Sequence, residues 1–271
     1  MKYLIKGTDI AGADYGRILL TDDNKVFLKD FSPYKTIDLE LPSGTLWADR
    51  NIGATNIYDG GKLFQWGDPT PYNIPEYTGD TINEGQKMFR WSDYKWNPSG
   101  DGYTFTKYDR TDKKTTLDPE DDAAHVNMGG TWKMPTKEQV IELFKGTTQE
   151  LYAKLRDDSD PVKVATGTYN KNDDYVSWKY IDGHTSNETF GKLAYMKLLS
   201  SNGNFLVVPS SVYAHNGRVS PVGGCCSFWS SSLSPRYDLI YARNGDSLYI
   251  NYGVYYNDRF IGFGVRGVVG Q

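Results

Sequence analysis

Three groups of side chains in this 271-residue chain invite a chemical reading. The first is acidic: Asp118, Glu120, Asp121 and Asp122 crowd four carboxylates into five positions. Such a run has the charge to hold calcium, but it lacks the spaced oxygen ligands of a calcium-binding loop. Pro119 instead suits the first position of a helix, where acidic side chains meet the positive end of the backbone dipole. Capping by Asp118 is therefore the expectation, and no metal is assigned. The second group is Cys225 and Cys226, the only cysteines, adjacent in sequence. Neighbouring cysteines cannot staple distant segments, and a ring between them departs from preferred disulfide geometry. His125, His184 and His215 lie too far apart to show zinc-ligand spacing. No Ser-His-Asp order, glycine-rich phosphate loop or carboxylate pair stands out. The expectation is a protein with no catalytic residue and no cofactor.

The third group lies near the carboxyl end and is chemical in a different sense. Residues 1–197 contain 20 Lys and 8 Glu, and residues 198–271 contain none, where the earlier rate would place about ten. Met is absent there too, Gln occurs only as Gln271 and Trp only as Trp229. What remains is seven Tyr, five Arg and three Asp among dense Ser, Gly and Asn. Tyr offers a rigid amphipathic surface at low entropic cost, while Ser, Gly and Asn supply adaptable hydrogen bonds; binding surfaces of the antibody kind use this set. A Tyr-rich sheet whose rings pack inward would share part of it, but exposed strand faces normally use Lys and Glu freely.

Bulk properties narrow the classes further. The formal charge is −4 and the pI about 5.5, without the basic excess of a nucleic-acid binder. No apolar run approaches the ~18–20 residues that span a bilayer. The start, Met1-Lys2-Tyr3-Leu4-Ile5-Lys6-Gly7, lacks the roughly 7–15-residue apolar stretch of a secretory signal. Hydrophobic residues at 38% and aromatics at 14% suffice for a core, so global disorder is excluded.

The elements that must position these groups read as α+β. Residues 1–36 form a small β-appendage, with Arg17–Leu20 and Lys25–Leu28 flanking a turn at Thr21-Asp22-Asp23-Asn24. The main domain covers 37–271. Thr36–Leu41 reads as a strand followed by a turn at Pro42-Ser43-Gly44, Leu46-Trp47 leads into Asn51–Ala54, and 67–115 reads as a long ordered loop region. One helix is predicted from Pro119 to Gly129-Gly130. A second starts at the capping box Thr136/Gln139 and stops at Gly146. A further helical stretch is predicted around Glu150–Arg156. Beyond residue 160 the pattern is β. Tyr175–Ile181 alternates, and Leu193–Leu199 and Phe205–Val208 flank the hairpin signal Ser200–Asn204. Phe228–Ser231, Leu239–Ala242, Leu248–Asn251 and Phe263–Val268 follow, separated by Asn-Gly-Asp, Tyr-Gly and Asn-Asp turns.

Several segments carry a resemblance. They are Leu41-Pro42-Ser43-Gly44-Thr45-Leu46-Trp47-Ala48 with Asn51-Ile52-Gly53-Ala54; Leu63-Phe64-Gln65-Trp66-Gly67-Asp68; and Asp121-Asp122-Ala123-Ala124. Then come Gly129-Gly130-Thr131-Trp132-Lys133-Met134-Pro135-Thr136, Phe228-Trp229-Ser230-Ser231-Ser232 and Gly262-Phe263-Gly264-Val265-Arg266. In this order, over roughly 37–268, they resemble the C-type-lectin-like domains of gut Bacteroidetes and their phages, which are related in fold to the formylglycine-generating enzyme. The carboxyl end resembles the variable protein of a diversity-generating retroelement, in which template adenines are replaced at random. Asn codons AAC and AAT then become any codon ending in C or T, which encode Tyr, Ser, Asp, Arg, Gly and Cys but never Lys, Glu, Gln, Met or Trp. The adjacent cysteines fit the same origin.

The resemblance implies a C-type lectin-like fold with two early helices and antiparallel β-sheets. It further implies a non-enzymatic ligand- or receptor-binding protein with a variable region over about 205–266. Candidate ligand-binding residues are Tyr213, His215, Arg236, Tyr237, Asp238, Tyr241, Arg243, Asn244, Asp246, Tyr249, Asn251, Tyr252, Tyr255, Tyr256 and Arg259. Tyr would anchor and Arg would pair or stack; strand alternation turns about a third of them inward. Trp47, Trp66, Trp132, Trp229, Phe263 and Val265 read as scaffold, and Arg266 as part of a buried hydrogen-bond network. The expected partner is a protein or glycan on a cell surface, with no nucleic acid and no membrane insertion, and a homotrimer is one assembly compatible with phage adhesion. The expected location is a phage virion, tail-associated, with the cytoplasm as runner-up. Two other functions remain open: a glycan-binding module without diversification, and a formylglycine-generating-type oxidase. The oxidase chemistry needs two cooperating thiols, which the adjacent pair outside the matching segments does not supply. The Glu-Pro-Asn and Gln-Pro-Asp tripeptides of calcium-dependent sugar lectins do not occur.

Overall fold

Thr136 begins the clearest helix. Its Oγ1 accepts from the Gln139 N–H at 3.3 Å and the Gln139 Oε1 accepts from the Thr136 N–H at 2.9 Å, the reciprocal box expected of this spacing. The helix spans Lys137–Gly146 and buries Val140, Leu143 and Phe144 against the core. It ends one residue later than predicted, with Gly146 still inside and Thr147 as its C-cap.

The computed structural model describes residues 33–109, 111–156, 159–170, 175–189, 191–220, 226–233, 244–249 and 253–270, with three short strands before them. Those strands, Leu4–Ile5, Ile18–Leu20 and Val26–Leu28, form an antiparallel sheet, the last two paired as the predicted hairpin. All four other sheets are antiparallel as well. The largest has five strands in the order Tyr175–Tyr180, Val162–Asn170, Thr147–Ala153, Leu193–Ser200, Phe205–Pro209. Its hairpin between Leu199 and Phe205 closes as predicted, the Ser200 N–H donating to the Asn204 carbonyl at 2.9 Å. A second sheet joins Ser227–Leu233, Asn244–Tyr249 and Gly253–Asp258. A third lays Val268–Val269 beside Leu46–Ala48, so the end of the chain pairs with a strand more than 200 positions earlier. The fourth combines Tyr213–His215 and Arg218–Ser220 with the small hairpin Tyr77–Thr78 and Thr81–Ile82.

Several predicted elements are corrected. Residues 147–153 are a strand, not the start of a helix over Glu150–Arg156. They lie between two partner strands, burying Gln149, Leu151 and Ala153 on one face, so sheet pairing overrides their modest helical tendency. The first helix is shorter than predicted. Pro119–Asp121 is a 3-10 turn, and the α-helix runs only over Ala123–Met128. Asp122 is its cap, accepting from the Ala124 and His125 N–H groups at 2.8 and 3.0 Å, and Gly129 closes it with φ 71°. Asp122 also accepts from the Met134 N–H at 2.9 Å, tying the helix start to the Trp132–Pro135 segment. Burial pushes its carboxyl above the ordinary aspartate value, with the three N–H donors opposing. Asn244-Gly245-Asp246 and Asn257-Asp258 are strand rather than turn, because they pair with each other across the sheet. The predicted strand Phe263–Val268 forms single bridges over most of its length, from Phe263 to Phe64 and Val265 to Trp229, and only Val268 belongs to a strand, bridging Lys133 as well. The predicted strand Leu239–Ala242 and the turn at 21–24 lie outside the described residues.

The loop region 67–115 carries only the small hairpin and one 3-10 turn, Trp91–Asp93, among its described residues. It holds its shape through side chains. The Tyr94 hydroxyl donates to the Trp66 carbonyl at 2.7 Å, and the Trp96 indole donates to the Gly67 carbonyl at 2.8 Å. The buried Asn97 donates to the Thr104 carbonyl at 2.8 Å and accepts from the Gly102 N–H at 3.0 Å.

Candidate functional site

The segments that carried the resemblance meet in space. The Trp229 indole donates to the Phe64 carbonyl at 2.8 Å, and the Trp66 indole donates to the Ser230 carbonyl at 3.0 Å. Trp229 lies edge-on to Phe263, and Trp47 tilts against Phe228. Arg266, fully buried, donates through Nε to Asn51 Oδ1 at 3.0 Å. Burial depresses its guanidinium to about 10, against the pull of Asp49. All four scaffold tryptophans are buried, as are Phe263 and Val265.

On this frame the candidate ligand residues divide into three sets. Arg236, Tyr237, Asp238, Tyr241, Arg243, Asn251 and Tyr252 lie outside the described residues. Asn244, Asp246 and Tyr249 are placed by their backbone in the strand Asn244–Tyr249, opposite Asp258, Tyr256 and Gly253. The remaining five have described side chains. Tyr255 and Tyr256 are half-buried and stack on one another, with centroids 4.6 Å apart. Tyr213 and His215 are also half-buried and stacked, at 5.5 Å, and Tyr213 packs at the same time against Phe263. Burial, then the charge of Arg218, lowers the His215 imidazole below its ordinary value, so it is neutral at pH 7.

Arg259 corrects the expectation. It is fully buried, its guanidinium 3.9 Å from the Phe105 ring centroid and ringed further out by Trp66 and Tyr94. Its Nη1 donates to the Lys107 and Tyr108 carbonyls at 3.4 Å. An arginine so placed fixes the loop region to the last sheet and is closed to a partner. The neighbouring Phe260, also buried, was the available sequence signal, since an Arg flanked by core aromatics packs its stem with them. Arg259→Ala is expected to lower stability by about 3 kcal/mol through lost packing. Urea melts would register this, while the affinity of the folded fraction for any surface partner would stay unchanged.

The acidic run also takes a different role. Asp118, Glu120 and Asp121 bring carboxylate oxygens within 4.8 Å of one another. The Lys107 ammonium reaches all three, at 2.7, 3.2 and 2.5 Å. Lys95 adds a 2.8 Å pair to Asp121, and Lys114 a 2.5 Å pair to Asp118. The Tyr108 hydroxyl donates to Asp121 at 2.7 Å, and the same oxygen accepts from the Asp118 N–H. Asp118 thus holds the N-cap position of the 3-10 turn ahead of Pro119, as expected, but its carboxylate pairs with lysines and makes no capping hydrogen bond. The position a cation would take is filled by a side chain of the chain itself. Nothing in the acidic spacing pointed to Lys107, which lies eleven residues before Asp118.

Cys226 is buried, and Cys225 lies outside the described residues. No described helix is long and apolar enough to cross a membrane. No protein-family model, curated protein or solved structure matches the chain.

Proposed function

We propose that this chain is a non-enzymatic binding protein of the C-type-lectin-like class, with a carboxyl-terminal surface diversified by a retroelement for adhesion to a cell or host surface. The observation that carries the reading is the loss of Lys, Glu and Met after Lys197 while Tyr, Arg, Ser, Gly and Asn persist. Adenine replacement in Asn codons leaves that palette, and no requirement of sheet packing does. The convergence of six separated sequence segments on one core supports the lectin-like class: Trp66 to Ser230, Trp229 to Phe64, Arg266 to Asn51 and Asp122 to Met134 all link motif to motif. A core so closed tolerates exchange of residues outside it, since function sits on segments held by a rigid scaffold. Tyr213, His215, Tyr255 and Tyr256, half-buried and stacked in pairs, are the members of the proposed surface whose side chains are described.

The test is genetic. DNA flanking the gene should contain a reverse-transcriptase gene and a near-copy of the 3′ coding end, differing from it at template adenines. Sequencing a population should then show substitutions concentrated between about 205 and 266 and absent from Trp229, Phe263 and Arg266. Uniform variation along the gene, or no template copy, removes the diversification and leaves a fixed-specificity binding module. Attachment to a phage tail follows from the adhesion reading and is tested by locating the protein in purified virions.

A further inference from the structure

A cleft of about 780 Å³ opens between the loop 54–60 and one end of the five-stranded sheet. Its walls include Tyr58, Lys154, Asp160, Lys192, Tyr195 and Ser210. Apart from Ser210, these lie outside the surface proposed above, so the cleft stands or falls independently of that reading. We propose that it is a second binding site, and that its ligand is a carboxylate-bearing sugar such as a uronic or sialic acid unit.

The aromatic side is prebuilt. Tyr152 and Tyr195 are cross-strand partners whose rings stack at 4.7 Å and 17°, and Tyr58 tilts onto Tyr195 at 5.0 Å. Tyr152 is anchored by its hydroxyl to Glu150 at 3.2 Å, and Glu150 pairs with Lys163 at 2.9 Å. The ladder ends on Tyr58, which is 56% exposed. Its loop is held by the Tyr58 N–H donating to Asn56 Oδ1 and by Asp59, which accepts from the Thr55 and Gly61 N–H groups. The loop lies against Ser211 so closely that a Cβ at Gly60 would fall 2.6 Å from the Ser211 Cβ. An exposed Tyr held on a stiff loop costs little entropy when a partner settles on its face. Pyranose rings present such an apolar C–H face.

The polar side selects the charge. The Lys154 N–H donates to the Lys192 carbonyl at 2.9 Å, which sets the two lysines side by side at the rim. Among the described residues neither ammonium is paired with a carboxylate. Among the described residues the wall carries Lys154, Lys192 and Asp160, one net positive charge, which suits a single carboxylate better than a polyphosphate. Asp160 supplies an acceptor for sugar hydroxyls. Burial, with neighbouring Tyr58, Tyr152 and Glu150, pushes the Tyr195 hydroxyl up to about 12, so it remains a donor at neutral pH. The volume falls within the roughly 300–1,000 Å³ of small-molecule sites.

Calorimetric titration of the full chain with digalacturonic acid and with N-acetylneuraminic acid tests this, with neutral galactobiose and uridine monophosphate as controls. Saturable binding of at least one acidic sugar is expected, about tenfold or more tighter than galactobiose, and weakening as salt shortens the screening length below about 10 Å. Tyr58→Ala and the double variant Lys154→Ala/Lys192→Ala should each weaken it about tenfold or more. Because these side chains are exposed, both variants should melt as the parent does. The proposal is overturned by silence with both acidic sugars, by equal affinity for galactobiose, by preference for the nucleotide, or by variants that bind like the parent.

Discussion

Trp229→Ala is expected to destabilise the protein by about 3–5 kcal/mol and, at roughly 2–4 °C per kcal/mol for a chain of this size, to lower its melting temperature by about 10 °C. The residue is fully buried, and its removal acts in three ways. A large side-chain volume is vacated in a core that relaxes only in part. The edge-on contact with Phe263, 4.9 Å between centroids, is lost. The Phe64 carbonyl loses the indole donor and keeps only the Phe263 N–H. Trp229→Phe should restore most of the volume but not the hydrogen bond, placing it between parent and alanine variant. Tyr255→Ala, at a half-buried stacked position, should cost only about 1 kcal/mol. Melts followed by near-ultraviolet circular dichroism would rank the four proteins. If Trp229→Ala melted within about 2 °C of the parent, the tryptophan would not be the scaffold described.

Lys107→Met carries the second large effect, about 2–3 kcal/mol, because it strips a cation from three carboxylates, of which Asp121 is almost wholly inaccessible. Lys95 still pairs with Asp121, so the loss falls short of a buried charge left alone. The pH dependence has a definite sign. Burial works against ionisation of Asp121, but hydrogen bonds from Lys107, Lys95 and Tyr108 outweigh it and hold the carboxyl below its ordinary value. That stabilisation is complete above the unfolded aspartate value of about 4 and disappears as pH falls through the lower folded value. Burial also opposes the Lys107 charge, yet its partners, Asp118 first, raise it above the ordinary lysine value. Its contribution is complete below about 10.5 and disappears as pH rises through the folded value. The parent and Lys107→Met should thus differ most across neutral pH and converge in strong acid, where the carboxylates are protonated in both. Millimolar calcium should raise the melting temperature of the variant, whose acidic trio lacks its ammonium, and leave the parent unmoved. A parent stabilised by calcium would show that the lysine is not the cation of this cluster.

Local features were legible from residue order. The Thr136/Gln139 box, the Ser200–Asn204 hairpin and the Gly129 helix stop each depend on atoms within a few positions of one another, and each forms as expected. Where two local solutions compete, distant partners choose. Four acidic residues within five positions allowed several caps, and Asp122 became the cap because lysines at 95, 107 and 114 engage Asp118 and Asp121. Glu150–Arg156 reads as helix on its own, and only the flanking strands make its first half a strand.

By itself, the sequence determined the mixed α+β character, the caps and hairpins, the tryptophan scaffold and the compositional boundary at Lys197. The tertiary structure alone decided that Arg259 is inside together with the expected Arg266. Arg259 and Arg266 stand seven residues apart in similar glycine- and aromatic-rich surroundings. Both are buried through partners more than 150 positions away, the Lys107 and Tyr108 carbonyls for one and Asn51 for the other. The tyrosines at 58, 152 and 195 likewise become one ladder only because strand register and a docked loop bring three separate segments together. Burial and charge pairing depend on which segments meet, and that is a property of the folded chain rather than of any window along it.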